Sequence, residues 1–146
     1  MSLFNLMSVS ASGMQAQRLR AETIVENLAN SETTRTPDGG PYKRKDVVLA
    51  SGDVDSPFSA LFQSSLGSGE SGVSVSGILE DSRPGELRYQ PNHPDANEKG
   101  YVSYPHISPA EEMVDLVDAS RSFEANTAAM SAVKDMVAKS IDLLKI

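Results

Sequence analysis

Residues 108–146 read SPAEEMVDLVDASRSFEANTAAMSAVKDMVAKSIDLLKI, and the fold turns on how they are read. Ser108 offers a capping hydroxyl, Pro109 suits the first helical position, and Glu111 stands where it can complete a capping box. No Gly or Pro follows to the chain end. Leu116, Phe123, Met130, Val137 and Leu144 recur every seven residues, and Ala119, Val133, Met136 and Ile141 widen that apolar seam. Glu111, Glu112, Asp115 and Asp118 lie at the positive end of the helix dipole, with Lys139 and Lys145 near its negative end. The carboxylates therefore read as solvated groups paired with the dipole. A helix of about 36 residues would be about 54 Å long, wider than a small domain. It needs a partner along its length.

Residues 1–30 supply a second such helix. Met7, Met14, Ala21 and Leu28 are spaced by seven, and Leu3, Ser10, Gln17 and Ile24 make the other half of the seam. Gly13 costs about 1 kcal/mol relative to Ala in a helix interior; either it admits close approach of another backbone or it is simply tolerated. Asn30, followed by polar Ser31-Glu32-Thr33-Thr34, is expected to end the helix in the left-handed conformation. Asn126 falls on the C-terminal seam, where a polar residue sets register or is merely tolerated.

Between the helices the texture changes. Residues 31–107 hold seven of the eight prolines and most of the glycines. Thr36-Pro37-Asp38-Gly39-Gly40-Pro41 is a turn, and Asp46-Val47-Val48-Leu49 a short strand. Residues 50–72, rich in Ser and Gly around an apolar island of Phe58, Leu61 and Phe62, read as a mobile loop. The stretches from Gly72 to Leu79 and from Glu86 to Tyr89 alternate as strands do. The turn Ser82-Arg83-Pro84-Gly85 suggests that they pair as a hairpin. Gly100 to Pro105 is a further extended segment. The expected fold is α+β and mainly α. Helices 1–30 and 108–146 pack as an antiparallel coiled-coil hairpin, around a small β-rich, loop-rich insert at 31–107.

Composition narrows function by exclusion. A net charge of −7 argues against nucleic-acid binding, which needs a basic face. The run Lys43-Arg44-Lys45 is too short to reverse that and reads as a solvated face. There is no Cys, hence no disulfide or thiolate metal site. No apolar run approaches the length of a membrane span, and no cleaved signal peptide is expected. His93 and His106 lie in Pro-rich loops without metal-ligand spacing, and no nucleophile with a partner base can be named. No phosphate-binding loop or nucleophile elbow occurs. Catalysis, a metal and a cofactor are therefore not expected. Val25, Val117 and the pair Ala128-Ala129 lie outside a narrow seam, which leaves surface for helices of other subunits.

Several segments carry a resemblance. Asn27-Leu28-Ala29-Asn30 with Ser31-Glu32-Thr33 resembles the motif that ends the first helix in the bacterial flagellar axial family of rod and hook proteins. The segment from Ala119 to Asn126, with Arg121, Phe123 and Asn126, is similar to the closing helix of that family, with Phe123 where Tyr is more usual. Gly39-Gly40-Pro41-Tyr42 and Lys43-Arg44-Lys45 match the segment after the first helix. Pro91-Asn92-His93-Pro94-Asp95-Ala96 with Gly100-Tyr101-Val102 resembles the family's small proximal rod proteins. The resemblance covers nearly all the chain outside 50–72. It implies a structural subunit exported without signal cleavage through the flagellar type III apparatus. The subunit would assemble helically with copies of itself, other rod proteins and the rod-base adaptor, and the proximal rod so formed would carry torque across the periplasm. The residues expected to meet in assembly are Met7, Met14, Ala21, Ile24, Leu28, Leu116, Phe123, Met130, Val133, Val137 and Leu144. Two alternatives stand beside this: a soluble coiled-coil adaptor or chaperone, and the sister small proximal rod protein.

Overall fold

The computed structural model describes residues 3–37, 39–53 and 71–143. Helix α1 spans Leu3–Ala29 and helix α2 spans Pro109–Leu143. Among the described residues four strands lie between them: β1 (Lys45–Asp53), β2 (Ser71–Glu80), β3 (Glu86–Tyr89) and β4 (Tyr101–Tyr104). The chain is α+β, with two long helices and two small antiparallel sheets. Strand β1 pairs with β2 from Lys45↔Glu80 to Asp53↔Ser71, with a register shift at Val48/Leu49, and β3 pairs with β4 from Glu86↔Tyr104 to Tyr89↔Tyr101.

This pairing corrects the expected hairpin between β2 and β3. The corner between them turns away for local reasons. Asp81 closes on Arg83, accepting its backbone N–H at 2.9 Å and its guanidinium Nε at 2.7 Å. Gly85 then lies so close to β4 that an added Cβ would sit 2.4 Å from Ser103 Oγ and 2.5 Å from the Tyr104 carbonyl oxygen. Only glycine allows that approach, and it delivers β3 to β4. Strand β2 instead finds β1 across a long connection, whose closure entropy grows only slowly with length. Both strands run into the stretch expected as loop, through Ala50–Asp53 and Ser71–Gly72. Residues 54–70, including Phe58, Leu61 and Phe62, lie outside the described residues, as do Asp38 and Leu144.

Helix α1 ends where expected but by another device. No described residue other than glycine has positive φ, so Asn30 is not left-handed. Its Nδ2 instead donates to the Glu26 carbonyl at 2.9 Å, and Ser31 Oγ donates to that of Leu28 at 2.9 Å. These side chains reinforce carbonyls that also accept backbone N–H groups, Glu26 from Asn30 at 3.1 Å and Leu28 from Ser31 at 3.3 Å, and so close the last turn. At the start of α2 the Ser108 carbonyl accepts the Glu112 N–H at 3.1 Å, the first helical bond.

Helix α1 packs against both α2 and the β1–β2 ribbon. Its contacts along α2 run in opposite numerical order, from Gly13 beside Asn126, through Arg20 near Asp115, to Asn27 on Glu112. With two neighbours, the buried arc of α1 is wider than a two-helix seam and rotated from it. Ser12, Gly13, Ala16, Thr23, Ile24 and Asn27 are buried, whereas Met7, Met14, Ala21 and Leu28 are half-buried. On α2 the deepest residues are Glu112, Ala119 and Val133. They sit on a heptad parallel to the expected one, with Asn126 half-buried between them.

Candidate assembly interface

Two features connect this architecture to function: a polar clasp at one end of the helix pair, and apolar surface left open along it. The clasp is centred on Asn27, which is only 1% exposed. Its Oδ1 accepts the Lys45 N–H at 2.9 Å and the Tyr42 hydroxyl at 3.1 Å. Its Nδ2 donates to the Lys45 carbonyl at 2.8 Å and to Glu112 Oε2 at 3.2 Å. One amide at the end of α1 thereby holds the entry to β1, the Tyr42 ring and the first turn of α2. Every donor and acceptor of its side chain is used, which is the condition for a buried polar group to stabilise a unique arrangement.

Glu112, also 1% exposed, is the second member. Its Oε1 accepts Arg44 Nε at 2.6 Å. Arg44 further approaches Asp46 at 3.5 Å and Asp115 at 3.7 Å. Burial is the largest single influence on the guanidinium and works against its charge, but the Glu112 hydrogen bond and the charges of Glu112, Asp46 and Asp115 together outweigh it and hold the Arg44 pKa above its ordinary value. Burial, and then the Glu26 carboxylate, push the Tyr42 phenol up to about 12, so it is a neutral donor at ordinary pH. Lys45 Nζ pairs with Glu26 at 2.5 Å on the outer side. The run Lys43-Arg44-Lys45 is therefore not simply a solvated face: two of its three charges are answered from α1 and α2. Glu112 is likewise no dipole-paired surface group.

A second latch explains the segment around His93. Thr34 Oγ1 donates to Asp95 Oδ2 at 2.8 Å and Arg35 stands 3.7 Å from Asp95 Oδ1. The Asp95 N–H donates to His93 Nδ1 at 3.1 Å. The loop between β3 and β4 is thus tied back to the chain leaving α1. Tyr104, packed under Arg88 at 4.7 Å, donates its hydroxyl to Gln90 Oε1 at 2.9 Å. Among the described residues no group of three His, Cys, Asp or Glu side chains can hold a metal ion. No helix among them is long and apolar enough to cross a membrane.

Away from the clasp the expected assembly residues separate into groups. Ile24 and Val133 are buried between the elements. Met7, Met14, Ala21, Leu28, Leu116, Met130 and Val137 are half-buried. Phe123, expected to be buried against α1, is 40% exposed. Together with Gln17, Ala21, Val25 and Ala119, it lines an open groove of about 630 Å³ between the helices. Of the motif residues, Asn27 is the clasp and Asn30 the helix cap. Asn126 meets Gly13, where an added Cβ would lie 3.2 Å from Asn126 Oδ1, so what Gly13 admits is this side-chain amide and not another backbone. Ala29 and Arg121 are exposed. The sequence reading missed Tyr42, Arg44 and Glu112 as a unit. The one available signal was the neighbouring heptad 112-119-126-133, which places Glu112 on the side of α2 that carries Ala119 and Val133.

Two terminal helices paired around a β insert, carrying the motifs at Asn27–Asn30 and Ala119–Asn126, define a subunit of the flagellar axial class. Residues 98–143, from the β3–β4 loop through α2, match the family model described as flagellar basal body rod FlgEFG protein C-terminal. The chain is 44% identical to flagellar basal-body rod protein FlgC of Bacillus subtilis, over 99% of this chain and 100% of the relative. It is 40% identical to FlgC of Borreliella burgdorferi, over 99% of each chain, and 35% identical to FlgC of Salmonella typhimurium, over 98% of each. The chain belongs to the FlgC family of flagellar basal-body rod proteins.

Proposed function

We propose that this chain is a structural subunit of the proximal rod. Copies of it pack helically with other rod proteins and with the rod-base adaptor, so that motor torque passes through the periplasm. It reaches that position through the type III export apparatus without signal cleavage. In this reading α1 and α2 form an antiparallel coiled-coil hairpin that joins the axial core, and the β insert faces outward. The observation that carries the proposal is the division of the helix pair. One end is locked to the insert by Asn27, Tyr42, Arg44 and Glu112. Apolar residues stay uncovered along the pair, from Val25, Met113, Val114 and Val117 near the clasp to Phe123 and Met136 farther along. Exposed apolar residues along a rigid helix pair are what lateral neighbours cover. The decisive experiment is fractionation of detergent-extracted basal bodies. The chain is expected to co-purify with the rod, and its deletion to abolish motility. Recovery only as a soluble cytoplasmic species would favour an adaptor or chaperone and overturn the proposal.

A further inference from the structure

Among the described residues the backbone of β3–β4 comes near neither helix nor the β1–β2 ribbon. It is held instead through the segment that leaves α1. Pro41 of that segment lies against Gly85, where an added Cβ would sit 3.2 Å from Pro41 Cγ. Thr34 and Arg35 grip Asp95 in the β3–β4 loop. What this attachment presents is an apolar outer face. Leu87 and Tyr89 are exposed, with the Tyr101 ring edge-on to Tyr89 at 5.3 Å.

The Asp95 tie is built around an imidazole. Asp95 donates its N–H to His93 Nδ1 at 3.1 Å, so that nitrogen carries no proton and the ring is neutral. The same nitrogen stands 4.0 Å from Asp95 Oδ2, the oxygen that accepts Thr34 Oγ1 at 2.8 Å. Around the ring stand Tyr104 of β4, its ring centre 6.5 Å away, and Arg88 of β3, over that Tyr104 ring at 4.7 Å. Arg35 reaches the loop through Asp95 Oδ1, at 3.7 Å. Asp95 is thus the one carboxylate among these groups, and a proton added at Nδ1 turns toward it.

We propose that His93 is a proton-operated release for this latch. Protonation at Nδ1 turns an acceptor into a donor and sets two N–H groups against each other at 3.1 Å. The Asp95 N–H is pushed off, while its carboxylate, beyond hydrogen-bond reach at 4.0 Å, is drawn toward the imidazolium. Asp95 turns about its own backbone and leaves Thr34 and Arg35. With the ring neutral, the loop is fixed to the exit of α1. With the ring charged, the loop comes free, and the Leu87, Tyr89 and Tyr101 face loses its fixed setting against the helix pair. The device belongs to the single subunit and stands independently of the rod reading.

NMR of the dilute, isotope-labelled full chain between pH 8 and pH 5, the range in which imidazoles titrate, tests this. The His93 ring signals, the Asp95 amide and the Thr34 methyl should move with one midpoint. Protection of the Asp95 amide from exchange should fall about tenfold across it, while amides at 20–27 beside the Asn27 clasp keep theirs. His93→Asn retains an oxygen to which the Asp95 N–H can donate, as in an Asx turn, and has nothing to titrate. In that variant the Asp95 and Thr34 steps should vanish. His106→Gln removes the other imidazole and should leave both steps in place. Full Asp95 protection at pH 5 in the unaltered chain would overturn the proposal. So would a Thr34 methyl that stays fixed while Asp95 loses protection, or steps that persist in His93→Asn. Loss of protection at 20–27 with the same midpoint would make the step global unfolding and overturn it likewise.

Discussion

At the scale of single residues, Glu112 is where the molecule is most sensitive. It is a buried carboxylate whose partners, Arg44 and Asn27, come from the insert and the other helix. Removing one member of such a pair strands the other, which costs about 3–5 kcal/mol when both are buried. Because Arg44 keeps a quarter of its side chain in solvent, Glu112→Ala should fall at the lower end, about 3 kcal/mol. Glu112→Gln, which keeps an acceptor for Asn27, should cost less. Urea unfolding of the full chain measures both, and equal stability of wild type and Glu112→Ala would remove the clasp from the account. Gln17 behaves oppositely. Its Oε1 is buried without a hydrogen-bond partner among the described residues, so Gln17→Met should stabilise by about 1 kcal/mol in the same assay. Tyr42 makes the fold sensitive to alkali. An unfolded tyrosine ionises near 10.0, whereas Tyr42 is held to about 12. Between those values the folded state keeps a proton that the unfolded state has lost, so stability falls as pH rises through this window. Tyr42→Phe should flatten that slope, read from urea midpoints at pH 9, 10 and 11.

At the scale of elements, the helices were legible and the sheet partners were not. The period of seven, the Ser108-Pro109 start and the absence of Gly or Pro after it are local signals, and α2 follows them closely. Strand pairing is decided by contacts far apart in sequence. The corner at residues 82–85 reads as a hairpin turn only when Gly85 is credited with turn chemistry and not with close approach to Ser103 and Tyr104. Gly85→Ala tests that assignment. Its Cβ would meet a backbone oxygen that cannot step aside, and the variant should lose about 1–3 kcal/mol, with amide protection lost first along β3 and β4. The same distinction governs Phe123. Exposed in the single chain, it should cost well under the 3–5 kcal/mol of a fully buried ring when cut to Ala. A defect in rod assembly larger than the defect in subunit stability would place its ring against a neighbour.

At the scale of the whole molecule, the interior is sparse. Among the described residues the buried apolar side chains are Ala16, Ile24, Tyr42, Val102, Tyr104, Ala119 and Val133. Ordering each residue costs about 1–2 kcal/mol of backbone entropy, so helix turns that bury little are marginal alone. Protection from amide exchange in the free full chain should therefore be graded. It should be strongest near the clasp, at 20–27 and 112–119, and weak beyond Val133. Uniform protection to Leu143 would make the helix pair self-sufficient and weaken the link between its open face and assembly. What the sequence by itself determined is the helix–insert–helix order and the family, because these rest on local periodicity and contiguous motifs. What only the tertiary structure decided is which face of α1 is inside, which strands pair, and that Glu112 and Arg44 join Asn27 in a buried clasp. Each of these depends on a second neighbour that residue spacing within one helix does not encode. The β1–β2 ribbon packs on α1 beside α2 and rotates the buried stripe, and a carboxylate on the first turn of α2 becomes interior only once Arg44 is brought to it across the fold.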